Sequence, residues 1–90
     1  MISQDTVIRN DSGFHIRPAQ LFTEKATGFN STVSIIVKGT DIDVDGKSIL
    51  GLMTLGLSKG SEITIRTDGP DEQEALTALV ALVESGFGEA

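Results

Sequence analysis

The only histidine of the chain, His15, stands just before a segment whose residue pattern predicts a helix. Arg17 follows it by two residues and Pro18 by three, and Pro18 suits a first helical turn because its missing N–H costs nothing there. A helix start carries free backbone N–H groups and a partial positive charge, so it favours anions. A neutral imidazole has a lone pair that can attack phosphorus, and Arg17 can bind phosphate oxygens. These residues indicate an anion site, which could serve either anion binding or phosphoryl transport.

Ser48 is the second residue that could carry chemistry, because it precedes a short apolar run from Ile49 to Leu55. A serine in that place predicts a helix N-cap, whose hydroxyl accepts a hydrogen bond from a backbone N–H two or three residues on and contributes ~1 kcal/mol. A capping serine is also exposed, and a phosphate on it would be favoured by the helix dipole. We therefore expect Ser48 to be an N-cap that could also be modified.

Other chemistry is poorly supported by the residues present. With one histidine and no cysteine, most transition-metal sites are excluded. The three aspartates of residues 41–45 lack the ligand pattern and terminal glutamate of a calcium loop, and their alternation indicates a solvated strand face. Ser12, His15 and Asp11 could in principle form a catalytic triad, but residues so close in sequence rarely meet in that geometry. We expect no metal and no cofactor.

Composition limits the class of protein and its partners. The chain has 90 residues, 39% hydrophobic and 22% charged, which is typical of a globular protein. A net charge of −6 and the absence of Trp and Tyr argue against nucleic-acid binding. There is no apolar run long enough for a transmembrane helix and no signal peptide, so we expect no membrane association. The absence of cysteine fits a reducing compartment, and we expect a cytoplasmic protein.

The elements that must position His15 and Ser48 follow from glycine punctuation and hydrophobic periodicity. The pattern predicts strands at 4–9, 32–38, 42–44 and 61–67, and helices at 16–27, at 49–55 and from 68–72 to Gly86. This order, βαββαβα, predicts an α+β fold in the form of an open-faced β-sandwich, with a four-stranded antiparallel sheet covered on one face by three helices.

The middle helix is apolar on nearly every side, so part of it must stay exposed in so small a protein. We expect Leu52 and Leu55 in the core, and Ile49, Leu50 and Met53 on a contact surface, because exposed apolar patches usually bind partners. Methionine suits a surface that meets several partners.

Two motifs resemble those of a known family. The segment Gly-Phe-His-Ile-Arg-Pro-Ala at residues 13–19 resembles the active-site motif of HPr, the histidine-containing phosphocarrier family of the bacterial sugar phosphotransferase system. The segment at residues 47–56 resembles the family's second motif, and the likeness extends over nearly the whole chain, which implies a single HPr-like phosphocarrier domain over residues 1–90. Phe14 and Ile16 replace residues that are more usual in the motif, which bears on partner preference and transfer rate.

The resemblance implies that His15 accepts a phosphoryl group on Nδ1 from phosphorylated enzyme I, that Arg17 supports it, and that it passes to the IIA domains of sugar permeases. It implies a carrier protein and not an enzyme. Ser48 matches the serine that HPr kinase/phosphorylase modifies in the Gram-positive form, where the product binds a catabolite-control transcription regulator. We expect a monomer whose partner surface includes five residues: Ile16, Gln20, Ile49, Leu50 and Met53.

Two alternatives remain open. The chain could be a regulatory binding module that acts through phosphorylation of Ser48, although relatives of that kind lack the active-site histidine. It could also be an HPr-like carrier of a nitrogen, fructose or dihydroxyacetone phosphotransferase branch.

Overall fold

The computed structural model describes residues 1–11, 13 and 15–88. The elements, in chain order, are β1 (Ile2–Val7), α1 (Ile16–Thr27), β2 (Thr32–Val37), β3 (Asp43–Asp45), α2 (Ile49–Met53), β4 (Glu62–Asp68) and α3 (Glu72–Glu84), followed by a short 3-10 turn at Gly86–Gly88. This is the predicted βαββαβα order.

The strands form one antiparallel sheet in the order β1-β4-β2-β3. In the central pair of strands, β2 and β4, Ile35 lies opposite Ile65. Strand β3 pairs with the other edge of β2, where Val44 lies opposite Ile35. Helix α3 packs on β1 and β4, while α1 packs against α2 and α3. The helices therefore cover one face of the sheet, and the predicted open-faced sandwich is confirmed.

The core lies between that face and the helices. Strand residues alternate between buried and exposed, as the period of two requires, and the helices each contribute an apolar side. Fully or almost fully buried apolar side chains include Phe22, Val33, Ile35, Leu52, Ile63, Ile65, Leu76, Leu79, Val80 and Val83. The three aspartates at positions 41, 43 and 45 are exposed, as predicted.

Helix α1 matches its predicted bounds, but other boundaries differ. Strand β1 lies two residues earlier than predicted, because it pairs with β4 from Ile2 onward. Helix α2 ends at Met53, short of Leu55, since Thr54 is its C-cap and Gly56 has a left-handed backbone (φ 63°). Helix α3 begins only at Glu72.

Ile42 is also placed differently from the prediction. It precedes β3 and is 50% exposed.

In the described part of the chain, no helix has the length and apolar character that crossing a membrane would require.

Candidate functional site

Helix α1 begins immediately after His15, as predicted. His15 is the N-cap, with an extended backbone (φ −74°, ψ −174°), and its carbonyl accepts the Ala19 N–H at 3.0 Å. The imidazole is exposed and makes no capping hydrogen bond. The N–H groups of Ile16 and Arg17 have no carbonyl within the helix to donate to, and Pro18 has no N–H to leave unsatisfied. An anion on His15 would therefore meet a helix start whose donors are available.

One side of the first turns of α1 packs on the core, and the opposite side faces solvent. Pro18, Ala19 and Phe22 are buried, whereas Arg17 and Gln20 are exposed. Arg17 forms no ion pair with any residue that the structure describes. A cation is unfavourable in the first turn of a helix, so an anion bound there would compensate both Arg17 and the dipole.

The loop that leads into His15 is held against the loop after α2. Gly13 has φ 60°, and a methyl group added to it would clash with the Leu57 carbonyl and lie 2.8 Å from Ser58 Cα. Gly13 is therefore required both by its backbone conformation and by this close approach. An exposed ion pair between Lys59 Nζ and Asp11 Oδ1, at 3.0 Å, links the same two loops.

Ser48 is the N-cap of α2, as predicted. Its Oγ accepts the Gly51 N–H at 3.1 Å, and its own N–H donates to the Asp45 carbonyl at 3.1 Å. Beside it, the Lys47 ammonium donates to the Phe29 carbonyl at 2.9 Å, so this cation is already engaged. Ser48 is half-buried and not exposed as predicted, because its Oγ is bonded to the first turn of α2.

The predicted apolar surface is present in part. Ile16, Leu50 and Met53 are 65%, 74% and 41% exposed, and they belong to two helices that pack against each other. Leu52 is buried, as expected. Ile49, predicted to be exposed with Leu50 and Met53, is instead half-buried, because it packs against the hydrophobic core.

Residue types for other chemistry do not converge. Among the described residues, no group of three His, Asp or Glu side chains is arranged to hold a metal ion. Ser12, a member of the alternative triad, and Phe14 of the motif lie outside the described residues, and the Asp11 carboxylate lies 3.0 Å from Lys59 Nζ.

Sequence reasoning missed Asn10. Its side chain is buried, and its Nδ2 donates to the Gly13 carbonyl at 2.8 Å. The available signal was an asparagine at the start of a turn that contains glycine, a position from which its side chain often bonds to the backbone.

Comparisons with known proteins indicate the family of this chain. Residues 2–85 match the family model described as the PTS HPr component phosphorylation site. The chain is 46% identical to the phosphocarrier protein HPr of Cupriavidus necator, over 99% of this chain and 98% of that protein. It is also 42% identical to the HPr-like protein Crh of Halalkalibacterium halodurans, over 93% of this chain and 98% of that protein.

Solved structures show the same fold. An HPr crystal structure from Thermoanaerobacter tengcongensis superimposes with a TM-score of 0.92 at 41% identity, covering 100% of this chain and 99% of that one. Crh from Bacillus subtilis, reported as a domain-swapped dimer, has a TM-score of 0.74 at 42% identity, with 94% and 95% covered. With its family model, its relatives and its fold in agreement, this chain belongs to the HPr family, the phosphocarriers of the phosphotransferase system.

Proposed function

We propose that this chain is a cytoplasmic carrier that accepts a phosphoryl group on Nδ1 of His15 from phosphorylated enzyme I and delivers it to IIA domains of sugar permeases. The observation that carries the proposal is the exposed imidazole of His15 at the open N-terminus of α1. Membership of the HPr family supports the donor and the acceptors.

The transfer is a single substitution at phosphorus. The lone pair on Nδ1 of His15 attacks phosphorus as the bond between phosphorus and the donor atom of enzyme I breaks, so the phosphoryl group moves and that donor atom leaves with the electron pair. The anion that results would lie at the helix start, where the N–H groups of Ile16 and Arg17 and the Arg17 guanidinium would bind it. The exposed site is open to both partners, which a carrier needs.

Labelling with phosphoenolpyruvate and enzyme I tests this proposal. We expect one phosphate per chain, labile in acid and stable in base, and none in His15→Ala. Equal labelling of His15→Ala would overturn it. Gln73→Ala, an exposed change on α3 away from the site, serves as the matched control and should be labelled like the unmodified chain.

The partner surface proposed for both transfers comprises the exposed residues Ile16, Gln20, Leu50 and Met53, to which the half-buried Ile49 adds only its exposed part. Leu50 is 74% exposed, more than Ile16 or Met53, so its truncation removes partner contact without opening a cavity. We expect Leu50→Ala to raise the concentration of enzyme I needed for half-maximal transfer and to leave the melting temperature unchanged. An unchanged half-maximal concentration would remove Leu50 from the surface. We propose the monomer as the acting form, which sedimentation of the phosphorylated chain tests.

A regulatory role for Ser48 is the second proposal. It is supported by the position of Ser48 as N-cap on α2, where phosphate would meet the helix dipole, and by the family's inclusion of Crh, whose solved structure is described as a catabolite repression HPr. We expect HPr kinase/phosphorylase to label the chain but not Ser48→Ala, and the product to accept phosphate from enzyme I more slowly. It should also bind a catabolite-control regulator. Absence of kinase-dependent label would overturn this role.

A further inference from the structure

Asn10 is a buried residue that bonds to the loop leading to His15. Its side chain is only 4% exposed, although asparagine is usually a surface residue. Its Nδ2 donates to the Gly13 carbonyl at 2.8 Å, and its own carbonyl accepts the Gly13 N–H at 3.2 Å. Both polar backbone groups of Gly13 are thus bonded to one residue.

This pair is enclosed on two sides by other parts of the chain. On one side, Leu57 and Ser58 approach Gly13 too closely for any side chain there. On the other, Gly86 packs against Asn10, since a methyl group added to Gly86 would lie 3.7 Å from Asn10 Cβ. The main chain at Gly13, two residues before His15, is therefore held by Leu57, Ser58 and Asn10, and Asn10 in turn packs against Gly86.

We propose that Asn10 is a positioning residue for phosphoryl transfer, which sets through Gly13 where the His15 imidazole stands at the start of α1. The imidazole makes no capping hydrogen bond, so its place depends on the main chain that carries it. In-line transfer to nitrogen requires close alignment, and a displacement of ~1 Å can cost about a hundredfold in rate. This inference rests on the proposed function of His15.

Two substitutions test the bond. Asn10→Asp keeps the size of the side chain but replaces the N–H donor by an oxygen, and Asn10→Ala removes the bond and fills less space. We expect both to lower the maximal rate of phosphoryl transfer from phosphorylated enzyme I by about tenfold or more. The concentration of enzyme I at half-maximal rate should stay the same, because Asn10 is buried and is not part of the proposed partner surface.

Ser31→Ala is the matched control. Ser31 is also buried, and its substitution removes a side-chain hydrogen bond to Asp71. It lies after the C-terminal end of the 12-residue helix α1. The length of that helix places Ser31 about 18 Å along the axis from His15. It should lose comparable stability and keep the transfer rate. A residue with only a structural role would behave like Ser31, with a lower melting temperature and an unchanged maximal rate.

The outcomes separate the two proposals when transfer is measured well below each melting temperature. If the unmodified chain is labelled on His15 and both folded Asn10 variants keep its maximal rate, the positioning role is wrong and the carrier function stands. If only the half-maximal concentration rises, Asn10 acts on partner binding and the inference is again wrong. If the unmodified chain takes no label on His15, the proposed function fails, and the inference with it. Should Asn10→Ala not fold, Asn10→Asp decides the result.

Discussion

The N-termini of α1 and α2 differ in how the first backbone N–H groups of the helix are satisfied. Both helices begin after a residue with an extended backbone, His15 in α1 and Ser48 in α2. Ser48 satisfies a first-turn N–H with its own hydroxyl, whereas the His15 side chain gives no such bond to α1. The start of α2 is closed by its own sequence, and the start of α1 is left open for a ligand from outside.

The cations beside the two helix starts show the same difference. Lys47 donates to the Phe29 carbonyl and joins α2 to the end of α1. Arg17 has no ion-pair partner among the described residues. One cation contributes to the fold, and the other remains available to an anion. Of these two helix starts, the one without a capping side chain is therefore the one that is available to an external anion.

The largest effect should come from Gly13→Ala, in the loop that opens α1. The new methyl group would clash with the Leu57 carbonyl at a left-handed backbone, so we expect a loss of about 3 kcal/mol in the free energy of unfolding. Gly56→Ala, just after α2, has a similar φ but open space around it, and should cost only about 1 kcal/mol. Urea titration measures both, and equal losses would contradict the close approach at Gly13.

The next test removes each of the two cations, Arg17 and Lys47, in turn. Arg17→Ala should slow phosphoryl transfer about tenfold and leave stability unchanged, because its charge-assisted bonds exist only with phosphate. Lys47→Ala should lower the free energy of unfolding by about 1 kcal/mol and leave transfer unchanged, because it removes one hydrogen bond within the fold. Transfer kinetics and urea titration on both variants check this crossed pattern, and a loss of transfer in Lys47→Ala alone would reverse it.

The two caps should differ in their contribution to stability. Ser48→Ala removes the bond to Gly51 and should cost about 1 kcal/mol. His15→Ala removes no capping bond and should leave the unfolding free energy nearly the same. Thermal and urea unfolding measure the difference, and an equal loss in the two variants would mean that the His15 side chain does cap α1.

The smallest expected effect is on the pH dependence of stability, and it arises at the start of the third helix, α3. The Ser31 hydroxyl lowers the pKa of Asp71 below its ordinary 3.8, and the Gly69 N–H lowers the pKa of Glu72 below 4.5. Both carboxylates therefore stabilise the fold above those values, and the contribution is lost as pH falls through the lower folded pKa values. We expect stability to decline below about pH 4.5.

Asp71→Asn tests this third start directly, because it removes one of the two titrating groups. Urea titrations over the acidic range should show a shallower decline than in the unmodified chain. Asn30→Ala keeps the backbone N–H that Asp71 accepts, so its pH dependence should be unchanged. An identical decline in Asp71→Asn would exclude Asp71 as a source of the pH dependence.

Local patterns predicted most of the fold. Alternation placed Ile35, Ile63 and Ile65 in the core, and α1 began and ended where its cap residues indicated. Boundaries failed where tertiary contacts decide them: β1 extends to Ile2 because β4 offers partners there. Likewise Ile49 is half-buried because it packs against the core, which the composition of a five-residue helix cannot reveal.

The candidate site was predictable where its chemistry is local. His15, Arg17 and Ser48 belong to helix starts, which short motifs describe well. The turn sequence indicated that the Asn10 side chain could bond to the Gly13 backbone. Its burial could not be predicted, because that depends on packing against Gly86, a segment far along the chain.

The most direct test of the account is to locate the phosphate after reaction with phosphorylated enzyme I. With ¹⁵N-labelled protein, phosphorus and nitrogen NMR can assign the phosphorus to one ring nitrogen. The account predicts a single signal coupled to Nδ1 of His15, lost in acid and absent from His15→Ala. Phosphate on another residue, or a chain that takes none, would contradict it.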